Sequence, residues 1–180
     1  MNRLTIVILF CLLSLTAFSQ FRFNDIGAYA GLGHIEGDSP SIPSYSAKVF
    51  FDISTWLDYD VNFRFAFYYA QKLEGLLPDK DEEKYYAFQK GFSLQAVIEQ
   101  HLNKSIYFEE GAGIVTINDR FFRGTNVWTY GTIFSALAGL DFRDMLYQGF
   151  RLGLGIESGL AFTKTAPSFN SVHIQTQYFF

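Results

Sequence analysis

Residues 56–70 read Trp56-Leu57-Asp58-Tyr59-Asp60-Val61-Asn62-Phe63-Arg64-Phe65-Ala66-Phe67-Tyr68-Tyr69-Ala70. Every odd position from Leu57 to Tyr69 is apolar or aromatic. The even positions carry Asp58, Asp60, Asn62, Arg64, Ala66 and Tyr68. A strand sends successive side chains to opposite faces, so period two over this length is a strand with one wholly apolar face. It is far longer than the five or six residues usual in water-soluble sheets.

Working outward, the same alternation recurs down the chain. Tyr45, Ala47, Val49, Phe51 and Ile53 oppose Ser46, Lys48, Phe50 and Asp52. Phe150, Leu152, Leu154, Ile156, Leu160 and Phe162 oppose Arg151, Gly153, Gly155, Glu157, Gly159 and Ala161. Val172, Ile174, Thr176, Tyr178 and Phe180 oppose Ser171, His173, Gln175 and Gln177. Weaker versions run through Asp25–Ile35, Tyr85–Glu99, Ser105–Ile117 and Val127–Leu140, giving eight strands. No stretch holds a helical apolar stripe for three turns. Which face is buried decides the class. A water-soluble barrel would have to pack seven large side chains from one strand into a narrow lumen, and would leave bare glycines outside. Inverted, the large side chains meet lipid and the small and polar ones share the interior. The expected fold is all-β: an eight-stranded antiparallel up-and-down transmembrane β-barrel.

Composition agrees. The 180 residues hold 21 Phe, 11 Tyr and 2 Trp, too aromatic for a disordered chain. A formal charge of −4 gives no polybasic footprint, so nucleic acid is not an expected partner. Cys11 is the only cysteine, which excludes disulfides and cysteine-rich metal sites. It lies in the apolar run Leu4–Phe18, after Asn2-Arg3 and before the small-residue site Ala17-Phe18-Ser19. That is the layout of a cleaved secretory signal over residues 1–19, with 20–180 as the barrel domain. Bulky Phe10 before Cys11 argues against a lipidated cysteine. The connections also alternate. Glu36–Ser44, Gln71–Lys84 and Asn118–Asn126 are long, whereas Ser54-Thr55 and Gln100–Lys104 are short; Asp141–Tyr147 and Thr163–Phe169 are of similar length and decide nothing. Long outer loops and short periplasmic turns are the habit of membrane barrels. Aromatic belts are expected at Tyr68, Tyr69, Tyr85, Tyr86 and Trp128 above, and at Trp56, Tyr147 and Tyr178 below.

From Phe23 to Phe180 the chain resembles the small outer-membrane β-barrel proteins of Gram-negative bacteria. The most specific element is Gln175-Thr176-Gln177-Tyr178-Phe179-Phe180, an alternating segment ending in Phe that is similar to the signal read by the outer-membrane assembly machinery. The resemblance implies residence in the cell outer membrane among lipid and lipopolysaccharide, with the assembly machinery and an envelope protein as partners. It implies no cofactor.

Inward positions carry the chemistry. Asp58, Asp60, Arg64, Glu99, Glu109, Arg151, Glu157 and His173 all fall on the polar phase. Buried charge must be paired, so these residues are expected to form an interior polar network, either a self-satisfied core or a gate for ions or small solutes. Ser171 and His173 share one face, with Glu157 on the neighbouring strand, which is the residue set of a Ser-His-acid hydrolase. Lipid A deacylases, also eight-stranded barrels, place a His and a Ser two apart. The order here is reversed and no His-x-Ser-Asn segment exists. Three scattered histidines offer no metal-ligand spacing. Asp79-Lys80-Asp81-Glu82-Glu83-Lys84 lacks the spacing of a calcium loop. No helix follows Gly31-x-Gly33 or Gly111-x-Gly113, as a nucleotide loop requires. Two charges break the pattern: Lys90 is in phase with Phe88 and Phe92, and Glu110 with Phe108 and Ala112. Lys90 is expected at the outer rim, able to snorkel to headgroup phosphates. Glu110 is expected at a β-bulge that resets the phase, the alternative being a protein contact on that wall. The leading function is a non-catalytic membrane scaffold or interaction protein, a role that includes that of an accessory subunit of an envelope complex. A narrow porin-like channel and a lipid A-modifying hydrolase are the alternatives.

Tyr178 and Phe180 are the expected assembly signal. Deleting Phe180, or changing both residues to Ser, should sharply lower outer-membrane abundance in cells while refolding in detergent survives. One rim aromatic contributes only about 1.5–3 kcal/mol. Normal abundance of the truncated protein would remove the assembly role.

Overall fold

Each alternating strand carries a full row of backbone donors and acceptors, and the chain satisfies them by pairing every strand with the next. The computed structural model describes residues 22–37, 40–54, 61–77, 85–143, 148–163 and 166–180. Within these lie β1 (Arg22–Glu36), β2 (Ile42–Ser54), β3 (Val61–Lys72), β4 (Phe88–His101), β5 (Ile106–Arg120), β6 (Val127–Asp141), β7 (Gly149–Ala161) and β8 (Ser168–Phe179). All neighbours are antiparallel and follow chain order, and β8 returns to β1 from Asp25↔Phe179 to Glu36↔Ser168, closing the barrel. One register shift occurs between Phe23 and Asp25 on β1. The lower end carries the start of β1 and the end of β8. The upper end carries the ends of β1, β3, β5 and β7 and the starts of β2, β4, β6 and β8. The leader and Asp58, Asp60, Trp56 and Tyr147 lie outside the described residues.

The large apolar face points outward on every strand. Leu154 is 62% exposed and Ile174 60%, with Leu32, Phe92, Ile114 and Phe134 similarly bare. A continuous apolar belt of this kind is intolerable in water and is what hydrocarbon requires. Glycines on the inner face make room for the side chains opposite. A Cβ on Gly27 would lie 2.2 Å from the Phe50 ring, and one on Gly159 would lie 2.2 Å from the Phe169 ring.

The lumen is not uniformly polar. Its upper half is an apolar core of Ile35, Tyr68, Ala70, Ala87, Val115, Ile117, Phe121, Ile133, Ala161 and Phe169. Tyr68 stacks on Phe169 with ring centroids 4.5 Å apart. Two expectations are corrected here. Tyr68 does not belong to the outer aromatic belt: it shares the even, inward phase of Arg64 and Ala66 and is 1% exposed. Phe169 does not end a loop; β8 begins at Ser168 and turns Phe169 into the lumen.

Closure of all eight strands leaves no edge at which detergent can begin to separate them. The folded protein in SDS should therefore migrate differently before and after boiling. Identical mobility in the two samples would contradict a closed barrel.

Candidate functional site

Below the apolar core the inward phase brings charged side chains together in three tiers. In the uppermost, Lys48 of β2 reaches across the lumen to form a buried ion pair with Glu157 of β7. Tyr29 donates its hydroxyl to the same carboxylate at 2.8 Å. The Tyr29 ring stacks on His173 at 4.0 Å. Ser171 Oγ lies 3.5 Å from His173 Nδ1. Ser171, His173 and Glu157 are thus close, but Glu157 spends its oxygens on Lys48 and Tyr29. All three residues are buried, between the apolar core above and charge below.

The middle tier is organised by one guanidinium. Arg64 donates to Asp52 through Nε at 2.8 Å and Nη2 at 2.7 Å. It donates to Glu109 through Nη1 at 2.5 Å and Nη2 at 3.0 Å. Planar forks of this kind are the strongest pairing available to a buried carboxylate. The cation also lies 4.0 Å from the Phe50 ring centroid. Gln177 of β8 donates to Asp25 at 2.7 Å and to Asp52 at 3.2 Å, tying the closing strand to β1 and β2.

The lowest tier centres on Arg151, fully buried on β7. Its Nε donates to Asp141 at 2.9 Å and its Nη atoms grip Glu99 of β4. Arg143 donates to Asp141 at 2.8 Å, and the His101 ring lies 3.2 Å from the same carboxylate. Phe179 sits beside both guanidiniums, at 4.1 Å from Arg143 and 4.4 Å from Arg151. Among the described residues no group of three or more His, Cys, Asp or Glu converges as a metal site.

The structure therefore gathers Arg64 with Glu109, Arg151 with Glu99, and Glu157 with His173, in separate tiers. Sequence reasoning left Asp25, Lys48, Asp52, His101, Asp141 and Arg143 out of the network. Lys48 and Asp52 were visible on the inward phase of β2. Asp141 and Arg143 were hidden because they fall in what reads as a connection.

On the outside, Tyr178 and Phe180 form an aromatic corner at the lower rim. Phe150 lies 4.7 Å from Tyr178, and Tyr178 meets Phe180 edge-on at 5.6 Å. The expected bulge at Glu110 is absent. β5 keeps unbroken register with both neighbours, Glu110 opposing Ile98 and Ala136, so its carboxylate stands on the outer wall. The reason is that the phase never resets: Tyr107, Glu109, Gly111 and Val115 all face inward and Ile106, Glu110, Ala112 and Ile114 outward. Lys90 likewise stands on the outer face, near the top of β4.

No protein-family model and no curated protein matches this sequence. Solved structures do match in shape. Neisserial surface protein A superposes with a TM-score of 0.64 at 10% identity, over 89% of this chain and 97% of that one. Ail, the attachment invasion locus protein of Yersinia pestis, solved with the heparin analogue sucrose octasulfate, gives 0.52 at 10% identity, over 88% of this chain and 98% of that one. At such identity what is shared is the fold, and this chain is an eight-stranded, closed, up-and-down antiparallel β-barrel.

Proposed function

We propose that this protein is a non-catalytic outer-membrane barrel with a closed lumen, acting as a membrane scaffold or interaction protein through its outer wall and upper loops. In this reading residues 1–19 are a cleaved leader, the upper end faces the exterior, and lipopolysaccharide, the assembly machinery and an envelope protein are its partners. The carrying observation is the filled interior. An ion entering from above meets the apolar core around Tyr68 and Phe169. One entering from below meets Arg151, Glu99 and Asp141 already paired with one another. Charge without a partner is costly in such a site, and paired charge offers a passing ion no vacant ligand. With the lumen occupied, the surfaces left for function are the wall and the loops.

In planar bilayers the refolded protein is expected to insert without conductance steps. Reproducible steps from the unmodified protein would overturn the closed-lumen reading. The tiers are expected to be structural. Arg64→Leu leaves Asp52 and Glu109 buried and uncompensated, and should cost about 3–5 kcal/mol, read as a lowered urea midpoint of the barrel in detergent. Phe65→Leu, the adjacent wall residue, should shift the midpoint far less. An unchanged midpoint for Arg64→Leu would show that the network is dispensable.

A further inference from the structure

Charges on the upper part of the wall are few, and two of them lie side by side. Lys90 and Arg120 both occupy the outward phase, on β4 and β5. In register, Lys90 opposes Asn118, Phe88 opposes Arg120, and Asn118 opposes Trp128 on β6. The two cations are therefore diagonal neighbours across one strand pair, with backbones about 7–8 Å apart.

Their side chains have a floor. Arg120 Nε donates to Asn118 Oδ1 at 3.3 Å, so the guanidinium folds down the strand and over Asn118, toward Lys90. Asn118 in turn donates to Asn126 Oδ1 at 2.8 Å. Although Asn118 is on the outward phase it is 0% exposed, covered by what surrounds it. Tyr85 holds the Arg120 carbonyl through its hydroxyl at 2.7 Å. Aromatic rings frame the pair: Phe92 and Trp128 lie parallel at 6.4 Å, and Tyr69 stacks on Phe88 at 5.6 Å. Tyr130, 72% exposed, stands next along β6. Rings gathered at one height on a barrel wall mark the level where hydrocarbon gives way to headgroups.

Neither cation has a carboxylate partner among the described residues. Asp119, between Asn118 and Arg120, faces inward and accepts from the Phe121 N–H at 3.1 Å. Glu110 is on the same face but ten residues lower on β5. Among the described residues the pair is a local excess of positive charge on the upper wall.

We propose that Lys90 and Arg120 form a binding site for the phosphate of a phosphorylated glycolipid in the outer leaflet. Lys90 supplies a point charge, and Arg120 a fork of N–H donors already oriented by Asn118. The framing rings pack against the acyl chains and the sugar. This deepens the reading above and rests on its outer-membrane placement, with the upper end outside.

The test uses the full mature chain refolded into phosphatidylcholine vesicles. Insertion is scored by the heat-dependent gel shift, and binding by native mass spectrometry with lipid A, dephosphorylated lipid A or phosphatidylglycerol added. The unmodified protein should retain lipid A and release it when the phosphates are removed. The double variant Lys90→Gln, Arg120→Gln should insert normally and hold lipid A about tenfold or more weakly. Equal retention of phosphatidylglycerol and lipid A would reduce the site to a general anion contact and overturn the glycolipid assignment. Unchanged lipid A binding by the double variant would overturn the site while leaving the placement intact. A chain that fails to insert at all would overturn the placement, and the site with it.

Discussion

Every backbone N–H and C=O carried into hydrocarbon must find its partner within the chain, because the solvent offers none. Here that demand is met only when β8 returns to β1 along twelve register pairs, from Asp25↔Phe179 to Glu36↔Ser168. Closure makes the interior narrow, and narrowness dictates its contents. Glycines must stand where rings cross the lumen, as Gly27 does for Phe50 and Gly159 for Phe169. Any charge admitted must arrive with its counter-charge. The sorting of large side chains to the wall follows from the same constraint, since the lumen has no room for them.

Within that space the two halves solve the filling problem differently. The upper half uses packed apolar side chains, as a water-soluble core would. The lower half uses three guanidinium- or ammonium-centred clusters, each with at least one partner from a strand that does not touch its own. Lys48 and Glu157 belong to β2 and β7, Arg64 and Glu109 to β3 and β5, and Arg151 and Glu99 to β7 and β4. Such pairs report the diameter of the barrel, because a wider lumen would leave each one spanning water.

The architecture was legible in the sequence because period two is a local property. Nothing more than Val61–Ala70 and its counterparts is needed to know which residues point where. Lys48, Asp52, Arg64 and Glu109 could all be placed inward in this way. That Arg64 would take Asp52 and Glu109 together was not legible, since it depends on register across the circumference. The apolar cap was missed although Val115 and Ile117 share the inward phase of Glu109, because that phase was read for its charges. Asp141 and Arg143 were missed because a strand end cannot be told from a turn by pattern alone. Glu110 shows the opposite failure. A rule about lipid-facing charge argued for a bulge, and the chain kept its register.

The cross-lumen pairs bear on how the barrel comes apart. A sheet held only by neighbour-to-neighbour hydrogen bonds can fray from its weakest seam, one strand at a time. In this barrel, peeling β8 from β1 does not release it, because Gln177 still holds Asp52 of β2, and Phe179 lies beside Arg143 and Arg151. Freeing β7 requires Glu157 to leave Lys48 and Arg151 to leave Glu99 in the same event. Opening is thereby made concerted, and the barrier to it rises with the number of spokes that must break together. Persistence in the membrane then becomes a matter of rate as much as of equilibrium.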